Sequence, residues 1–254
     1  MTGQTALVTG STGGIGRAVA AELASHGAHV VVNGRSAEHG EPVVAAIEDA
    51  GGSAAFRAAD INDYDQVTRL VGGVVADRGG IDVLVPNGAA TSAPIPDYFR
   101  GTDPEDMLSF AESMFANRLY VIRAALEPMI EAGGGRIVSI GADSGRWPTP
   151  GEVGPGTASA ALMMATKVLA RELGRWDITV NAVSISVTED TPALEWVMEE
   201  SPAASVFERA MERQQFDVTA EDIAQAVAFL AGADGGGAVT GQLLSVNGGI
   251  SFPG

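Results

Sequence analysis

The first chemically informative stretch is a glycine-rich turn in which Gly10, Gly14 and Gly16 follow a short apolar run. The run predicts a β-strand, and apolar residues at helical spacing over 15–23 predict a helix behind the turn. Gly10 allows a tight turn, Gly14 lets the backbone approach a diphosphate, and Gly16 lets helix and strand pack closely. Because N–H groups at a helix start attract phosphate, we predict dinucleotide binding. The alternative is a turn kept only for folding.

The composition excludes several other kinds of chemistry. The 254 residues contain no cysteine, so thiolate catalysis and Cys-ligated metals are excluded. The three histidines lie at positions 26, 29 and 39 without metal-ligand spacing, and we predict no metal site. A net charge of −17 argues against nucleic acid or an anionic membrane as partner. The sequence has neither a long apolar run nor a signal-peptide pattern, so we expect a cytoplasmic protein with a small-molecule substrate.

Strand-like and helix-like segments alternate along the whole chain. We predict strands at 6–8, 29–33, 54–58, 82–85, 136–140, 178–183 and 242–246. We predict helices at 17–24, 37–50, 63–77, 105–131, 157–175 and 219–230, the fourth kinked near Pro128. This alternation is typical of a parallel sheet covered on both faces. It predicts one α/β domain over 1–254, a Rossmann-type doubly wound fold of about seven strands, with a helical flap near 188–217.

The order and spacing of these pieces resemble the short-chain dehydrogenase/reductase family over essentially the whole chain. The resemblance rests on the glycine turn, on Asp60 after the third strand, and on the sequences at 136–140, 169–173, 179–182 and 240–249. It implies an NAD(P)-binding oxidoreductase. It also implies a homo-oligomer, a dimer or tetramer assembled through the long helices and the C-terminal strand.

The catalytic residues of that family are not found at their expected positions. The family carries a serine after the fifth strand and a Tyr-x-x-x-Lys pair thirteen residues later. Counting in this sequence places the serine position at Ala142, the tyrosine position at Pro155 and the lysine position at Ser159. No Tyr-x-x-x-Lys occurs elsewhere, because the tyrosines are Tyr64, Tyr98 and Tyr120 and the sole lysine is Lys167. We interpret Lys167 as a solvated helix residue.

Other side chains are candidates for the missing roles. Asn117 resembles the family's helix asparagine, although it lies three residues late. Asp143 follows the serine position, and a carboxyl there acts as acid or base if burial raises its pKa. Tyr98, in a proline-rich loop over 88–104, offers a hydroxyl. Further polar residues expected near the cleft include Ser144, Arg146, Glu152, Thr157, Ser186 and Glu189.

The resemblance also suggests how a nucleotide would be held. Gly34 stands where NAD-preferring members carry an acidic residue, and Arg35 follows it. An arginine there suits a 2′-phosphate, so we expect NADP rather than NAD, with no cofactor as the remaining alternative. The predicted cofactor-binding residues are Gly10, Ser11, Thr12, Gly14, Ile15, Gly16, Arg35, Asp60, Ile61 and Asn87.

The 189–217 segment is acidic on one side and apolar on another. Eight acidic residues stand against two arginines, which disfavours an anionic substrate at the rim of the cleft. We therefore expect an atypical oxidoreductase of this family that reduces a carbonyl on a small, apolar molecule with NADP(H). Two alternatives stay open: a non-redox enzyme such as a lyase, isomerase or cyclase on the same scaffold, and a catalytically silent binding subunit.

Overall fold

The sheet of the computed structural model contains seven parallel strands in the order β3-β2-β1-β4-β5-β6-β7. The structure describes residues 1–88, 94–232 and 236–252. The strands are β1 (Thr5–Val8), β2 (His29–Gly34), β3 (Ser53–Ala58), β4 (Val83–Val85), β5 (Gly135–Ala142), β6 (Ile178–Ile185) and β7 (Leu243–Val246). The predicted doubly wound α/β fold is confirmed.

Nine α-helices connect and flank the strands in the described part of the chain. They are α1 (Gly14–Ser25), α2 (Ala37–Asp49), α3 (Tyr64–Arg78), α4 (Pro104–Ala111), α5 (Asn117–Glu131), α6 (Val153–Leu173), α7 (Pro192–Glu200), α8 (Ala204–Arg213) and α9 (Ala220–Ala231). Short 3₁₀ turns occupy Asp143–Gly145 and Gly174–Trp176. The two flap helices α7 and α8 lie within the segment predicted as a helical flap.

Side chains that alternate along each strand form two apolar layers, one on each face of the sheet. In β1, Ala6 and Val8 pack with α1, α2 and α9, whereas Leu7 packs with α3 and α5 on the opposite face. All three side chains are fully buried. This burial on both faces explains why the strands appear in the sequence as short, nearly continuous apolar runs.

Helix starts agree with their capping residues. The side chain of Asp63 accepts hydrogen bonds from Asp65 N and Gln66 N at the start of α3. Thr219 and Asp222 form a reciprocal capping box at the start of α9. One predicted start was wrong: α6 begins at Val153, four residues before the expected position, so the loop after β5 is shorter than its glycine and proline content suggests.

The long fourth helix predicted over 105–131 is interrupted, though not where we expected. Its hydrogen bonding changes to a π-helical turn at Glu112–Ala116, whereas Pro128 lies inside α5. The N–H of Asn117 donates to Glu112 O, five residues back, and its side-chain Nδ2 donates to Ser113 O at 2.6 Å. The amide side chain therefore satisfies a carbonyl at this irregular turn.

The glycine turn depends on a close approach that leaves no room for side chains. A Cβ on Gly16 would overlap Gly10 O and lie 2.6 Å from Asn87 Nδ2. We expect Gly16→Ala to lower the free energy of unfolding by about 1–3 kcal/mol, because the backbone must move apart. Chemical denaturation followed by circular dichroism measures this change.

The matched control is Gly72→Ala in α3, where an added Cβ meets no atom within 4 Å. That variant should gain about 0.5–1 kcal/mol, since alanine has the higher helix propensity. Equal effects at the two positions would contradict the packing argument.

Candidate functional site

The turn between β1 and α1 has the shape of a phosphate-binding site. Gly10 and Gly14 adopt positive φ values of 58° and 48°, which other residues rarely adopt. A Cβ on Gly13 would meet no atom within 4 Å, so open space lies in front of the helix start. No side chain caps the α1 N-terminus. Its backbone N–H groups are therefore free to bind a diphosphate, and the residues present fit a dinucleotide.

Two of the predicted cofactor-binding residues hold the turn in place. Ser11 is fully buried, where its Oγ donates to Val8 O at 2.6 Å and accepts from Asn33 N at 3.0 Å. Asn87 donates from Nδ2 to Gly10 O at 3.1 Å, and its N–H donates to Thr9 Oγ1 at 3.0 Å. These bonds tie the turn to the ends of β2 and β4.

The end of β2 carries the residues expected to distinguish the two nicotinamide dinucleotides. A Cβ on Gly34 would overlap Thr12 Cγ2 and lie 3.2 Å from its Oγ1, so a side chain at position 34 requires Thr12 to move. Arg35 is exposed beside them. Position 34 therefore carries no acidic side chain and packs closely on Thr12, and the cationic Arg35 follows it.

Asp60 and Ile61 lie in the loop after β3, at the same edge of the sheet. The Asp60 carboxylate accepts from Asn62 N and Nδ2, both at 2.9 Å. The buried Ile61 contributes a methyl group, Cδ1, that a Cβ on Gly88 would approach to 3.3 Å. The predicted residues of the adenine side therefore meet around the glycine turn.

The structure brings the three family catalytic positions together. Ser159 is buried in α6, and its Oγ accepts a hydrogen bond from Ala142 N at 3.0 Å. Pro155 lies one turn earlier on the same helix and is also buried. Since residues four apart share a helix face, both positions face the end of β5. The Pro155 ring and a Ser159 hydroxyl that anchors α6 therefore lie beside the end of β5.

Asp143, proposed from sequence as an acid or base, is the centre of a buried hydrogen-bond network. Its Oδ1 accepts from Arg146 Nε at 3.1 Å and from Ser184 Oγ at 3.0 Å. Its Oδ2 accepts from Asn247 Nδ2 at 2.9 Å and from Ser251 Oγ. The network joins the turn after β5 to β6 and to the segment that follows β7.

The surroundings of Asp143 keep it ionised. Burial by itself raises the pKa of this carboxyl, but the hydrogen bonds from Ser251, Asn247, Ser184 and Arg146 together outweigh burial and lower the pKa below its ordinary value. A carboxylate with a lowered pKa and four donors is a poor source of protons near neutral pH. The geometry favours a structural role for Asp143.

Asn117 and its neighbour Arg118 form a buried polar pair at the start of α5. Arg118 Nη1 donates to Asn117 Oδ1 and Nε donates to Ile140 O, each at 3.2 Å. No carboxylate oxygen of the described residues lies within 4.0 Å of the guanidinium. Burial lowers the pKa of Arg118 to about 10, so the side chain remains a cation.

Sequence reasoning missed Arg118. The signal was present, because Arg118 shares a helix face with the buried residues Val121, Ile122 and Ala125. A single arginine among apolar residues on the core-facing side of a helix predicts a buried charge.

The tyrosines divide into a surface pair and one single residue. Tyr64 and Tyr120 pack against each other between α3 and α5, with ring centroids 5.4 Å apart. Tyr98 is 40% exposed, and within the described residues its hydroxyl makes no hydrogen bond. Lys167 is exposed on α6, as we expected. Tyr98 is therefore the only tyrosine on the loop that borders the cleft.

The flap helices α7 and α8 contact three other segments near the glycine turn and α6. A Cβ on Gly14 would lie 3.6 Å from Pro192 Cδ, which places the start of α7 over the glycine turn. Ser201 Oγ donates to Pro96 O, and a Cβ on Gly151 would lie 2.7 Å from Ala203 Cβ. The flap therefore contacts the glycine turn, the proline-rich loop and the start of α6.

The described residues contain neither a metal-binding cluster nor a membrane-spanning helix. In residues 1–88, 94–232 and 236–252, no group of three or more histidine, cysteine, aspartate or glutamate side chains is placed to hold a metal ion. No helix in this part of the chain is long and apolar enough to cross a membrane.

Known proteins similar to this chain are oxidoreductases. The family model described as enoyl-(acyl carrier protein) reductase matches residues 10–251. The 3-oxoacyl-[acyl-carrier-protein] reductase FabG of Haemophilus influenzae is 34% identical and covers 98% of this chain and 99% of its own. The gluconate 5-dehydrogenase of Gluconobacter oxydans is 32% identical, with coverage of 99% and 96%.

A solved structure is also similar to this chain over nearly its whole length. A dehydrogenase/reductase from Sinorhizobium meliloti 1021 superposes with a TM-score of 0.86 at 33% identity, covering 99% of this chain and 96% of its own. Fold, glycine turn and relatives together define a nicotinamide-dependent oxidoreductase. The chain belongs to the short-chain dehydrogenase/reductase family.

The Asp143 network gives a direct test of its structural role. We expect Asp143→Asn to lower the free energy of unfolding by about 3–5 kcal/mol at neutral pH, because Arg146 loses its buried partner. Since the folded-state pKa of Asp143 is lowered, its stabilisation is present above the ordinary aspartate pKa of 3.8 and is lost as the pH falls through the folded-state value.

Urea unfolding at a series of pH values measures both effects. The control is Asp49→Asn at the exposed end of α2, which should change stability little. An Asp143→Asn protein with wild-type stability and a wild-type acid transition would refute the network's importance.

Proposed function

We propose that this enzyme reduces a carbonyl group on a small, apolar molecule with NADP(H), and that it does so without the family's Tyr-x-x-x-Lys pair. The observation that carries the proposal is the preserved glycine turn beside an altered α6. The turn keeps free N–H groups and open space, whereas Pro155 and Ser159 stand at the pair's positions. These features support an enzyme that retains nucleotide binding with a changed acid–base site.

The preference for NADP is supported by the end of β2. Gly34 has no carboxylate that could bind a 2′-hydroxyl, and it packs closely on the Thr12 side chain. Arg35 offers a planar set of donors that matches a phosphate. When bound, the reduced nicotinamide supplies a hydride to the carbonyl carbon.

The protein's own residues then have three tasks. Backbone N–H groups at the start of α1 hold the diphosphate, and the start of α7 at Pro192 covers the glycine turn and limits access of water. The substrate oxygen must also receive a proton. Of the side chains predicted from sequence, Tyr98 has a free hydroxyl, Asp143 is an anion bound by four donors, and the Asn117 amide is committed to Ser113 O.

The apolar character of the substrate is supported by the flap. Trp196 is 39% exposed and Phe216 is 73% exposed, and acidic residues lie near both in the sequence. An acidic rim repels anions, so the gluconate named for one relative would be a poor substrate here. Apolar ketones and aldehydes are the compounds to screen.

The proposed homo-oligomer is supported by exposed apolar side chains on two faces. Met164 and Val168 lie one turn apart on α6 and are 60% and 47% exposed. Phe229 on α9 and Leu244 on the edge strand β7 are 49% and 37% exposed. Apolar faces of this kind suit contact with a second copy of the chain.

The cofactor proposal is tested by fluorescence titration of the purified protein with NADPH and NADH. We expect NADPH to bind more tightly, and Arg35→Ala to raise the Kd for NADPH by about ten-fold or more, because a charged contact is lost. The Kd for NADH should stay unchanged. Arg171→Ala, an exposed arginine on α6, is the control.

Two outcomes of this titration contradict the proposal. If NADH binds as tightly as NADPH, the role of Arg35 is wrong. If neither NADPH nor NADH binds at millimolar concentration, the proposal of a reductase is wrong. The non-redox enzyme and the silent binding subunit are then the remaining hypotheses.

The oligomer proposal is tested by light scattering after gel filtration. We expect a dimer or tetramer for the wild type and a smaller species for Met164→Glu/Val168→Glu, because two charges would be buried in the interface. Thr68→Glu, on the exposed side of α3, should leave the mass unchanged. A monomeric wild type would disprove the assembly.

A further inference from the structure

The start of α6 presents a carboxyl group on the face that the family uses for catalysis. Glu152 precedes Val153, the first residue of α6, and lies three positions before Pro155 and seven before Ser159. Spacings of three and seven place side chains on one helix face. Because Ser159 is anchored to Ala142, this face points toward the end of β5.

The position of Glu152 is fixed by its backbone and by one side-chain contact. Its N–H donates to Thr149 O at 3.2 Å, and its carbonyl accepts from Gly156 N at 2.7 Å. Ser144 Oγ donates to Glu152 Oε2 at 2.9 Å. Ser144 is two residues beyond Ala142, so the hydrogen bond spans the mouth of the site.

Several elements pack against the glycines that flank Glu152 in the chain. On one side, a Cβ on Gly151 would approach Ala203 at the start of α8 and the backbone of Asp97 in the proline-rich loop. On the other, a Cβ on Gly154 would overlap the ring of Phe110. Glu152 itself is partly buried. It lies where flap, loop and α6 converge.

No positive charge compensates Glu152. Among the described residues, no arginine, lysine or histidine nitrogen lies within 4.0 Å of its carboxyl oxygens. The charged residues on the turn and loop packed against it are Asp97, Asp143 and Arg146, and Arg146 is engaged by Asp143. Burial raises the pKa of Glu152, and the hydrogen bond from Ser144 lowers it by less. The carboxyl of Glu152 therefore keeps its proton to higher pH than an ordinary glutamate, the opposite of Asp143.

We propose that Glu152 is the proton donor of the reaction, held by Ser144 on the α6 face from which the family's tyrosine is missing. The proposal depends on the carbonyl reduction proposed above. The carbonyl carbon accepts a hydride from the reduced nicotinamide, and the C=O π electrons move to the oxygen. That oxygen takes the carboxyl proton of Glu152. The resulting carboxylate regains a proton from water. Glu152 is the catalytic residue, and Ser144 is a positioning residue.

The first test does not require turnover. Infrared spectroscopy during a pH titration should show a protonated-carboxyl C=O band that persists above the ordinary glutamate range and is absent from Glu152→Gln. Glu172→Gln, at an exposed position of the same helix, should retain the band. A band that is identical in the wild type and Glu152→Gln would overturn the proposal.

The stability of the two proteins provides a second readout that is independent of activity. A carboxyl whose folded-state pKa is raised stabilises the fold most below the ordinary glutamate pKa, and this stabilisation is lost as the pH rises through the folded-state value. The free energy of unfolding of Glu152→Gln should therefore increase relative to the wild type across that pH range. A constant difference would contradict a raised pKa.

The catalytic role is tested with NADPH and the apolar ketones cyclohexanone and acetophenone. Glu152→Gln should lower kcat by about 10²–10⁴-fold, as expected for loss of a general acid, and leave the Kd for NADPH unchanged. Glu152→Asp should restore part of kcat. Ser144→Ala removes a hydrogen bond that lowers the pKa of Glu152, so it should shift the pH profile of kcat to higher pH, and only where Glu152 is present.

The outcomes separate this inference from the proposed function. Wild-type kcat in Glu152→Gln, with NADPH consumed, overturns the role of Glu152 and leaves the reductase proposal intact. A wild type that binds no NADPH overturns the proposed function. The infrared and unfolding results still report in that case whether Glu152 holds a proton.

Discussion

The architecture depends on a close contact between backbones at the ends of β1 and β4. A Cβ on Gly10 would lie 2.5 Å from Gly88 Cα, and one on Gly16 would overlap Gly10 O. The contact brings Asn87 within hydrogen-bond distance of Gly10. Because this contact positions the N-terminus of α1 beside the ends of β1 and β4, the direction of the first helix and the geometry of the glycine turn depend on it.

The residues proposed to hold a nucleotide and the residues proposed to perform chemistry lie at different places along the same edge of the sheet. The first group surrounds β1 and β2, and the second surrounds the ends of β5 and β6 and the start of α6. Among the described residues, no residue of the first group donates to Asp143, the centre of the second group. No residue of the second group hydrogen-bonds to Gly10, the centre of the first. The chemistry of the site is therefore free to change while the fold and nucleotide binding stay, as is expected when function depends on local constellations rather than on fold.

The sequence predicts the strands and the glycine turn well because their signals are local. The spacing argument also places Ala142 and Ser159 correctly next to each other, since α6 must pack on β5. It fails at Glu112–Ala116, because a change of hydrogen-bond register leaves the apolar periodicity nearly unaltered. It also fails to show that Asp143 is saturated by donors, because Ser184 and Ser251 lie 41 and 108 positions away in the chain.

These long separations also impose an order on synthesis of the protein. Two of the four donors to Asp143 come from Asn247 and Ser251, more than a hundred residues later in translation. Until Ser251 has emerged from the ribosome, the turn after β5 holds an anion that lacks half of its hydrogen bonds, and such a group resists burial. The hydrogen bonds that Ser11 and Asn87 make at the glycine turn join residues within the first 88, so they can form earlier in synthesis. In the growing chain, the nucleotide-holding half of the site is therefore complete long before the reacting half.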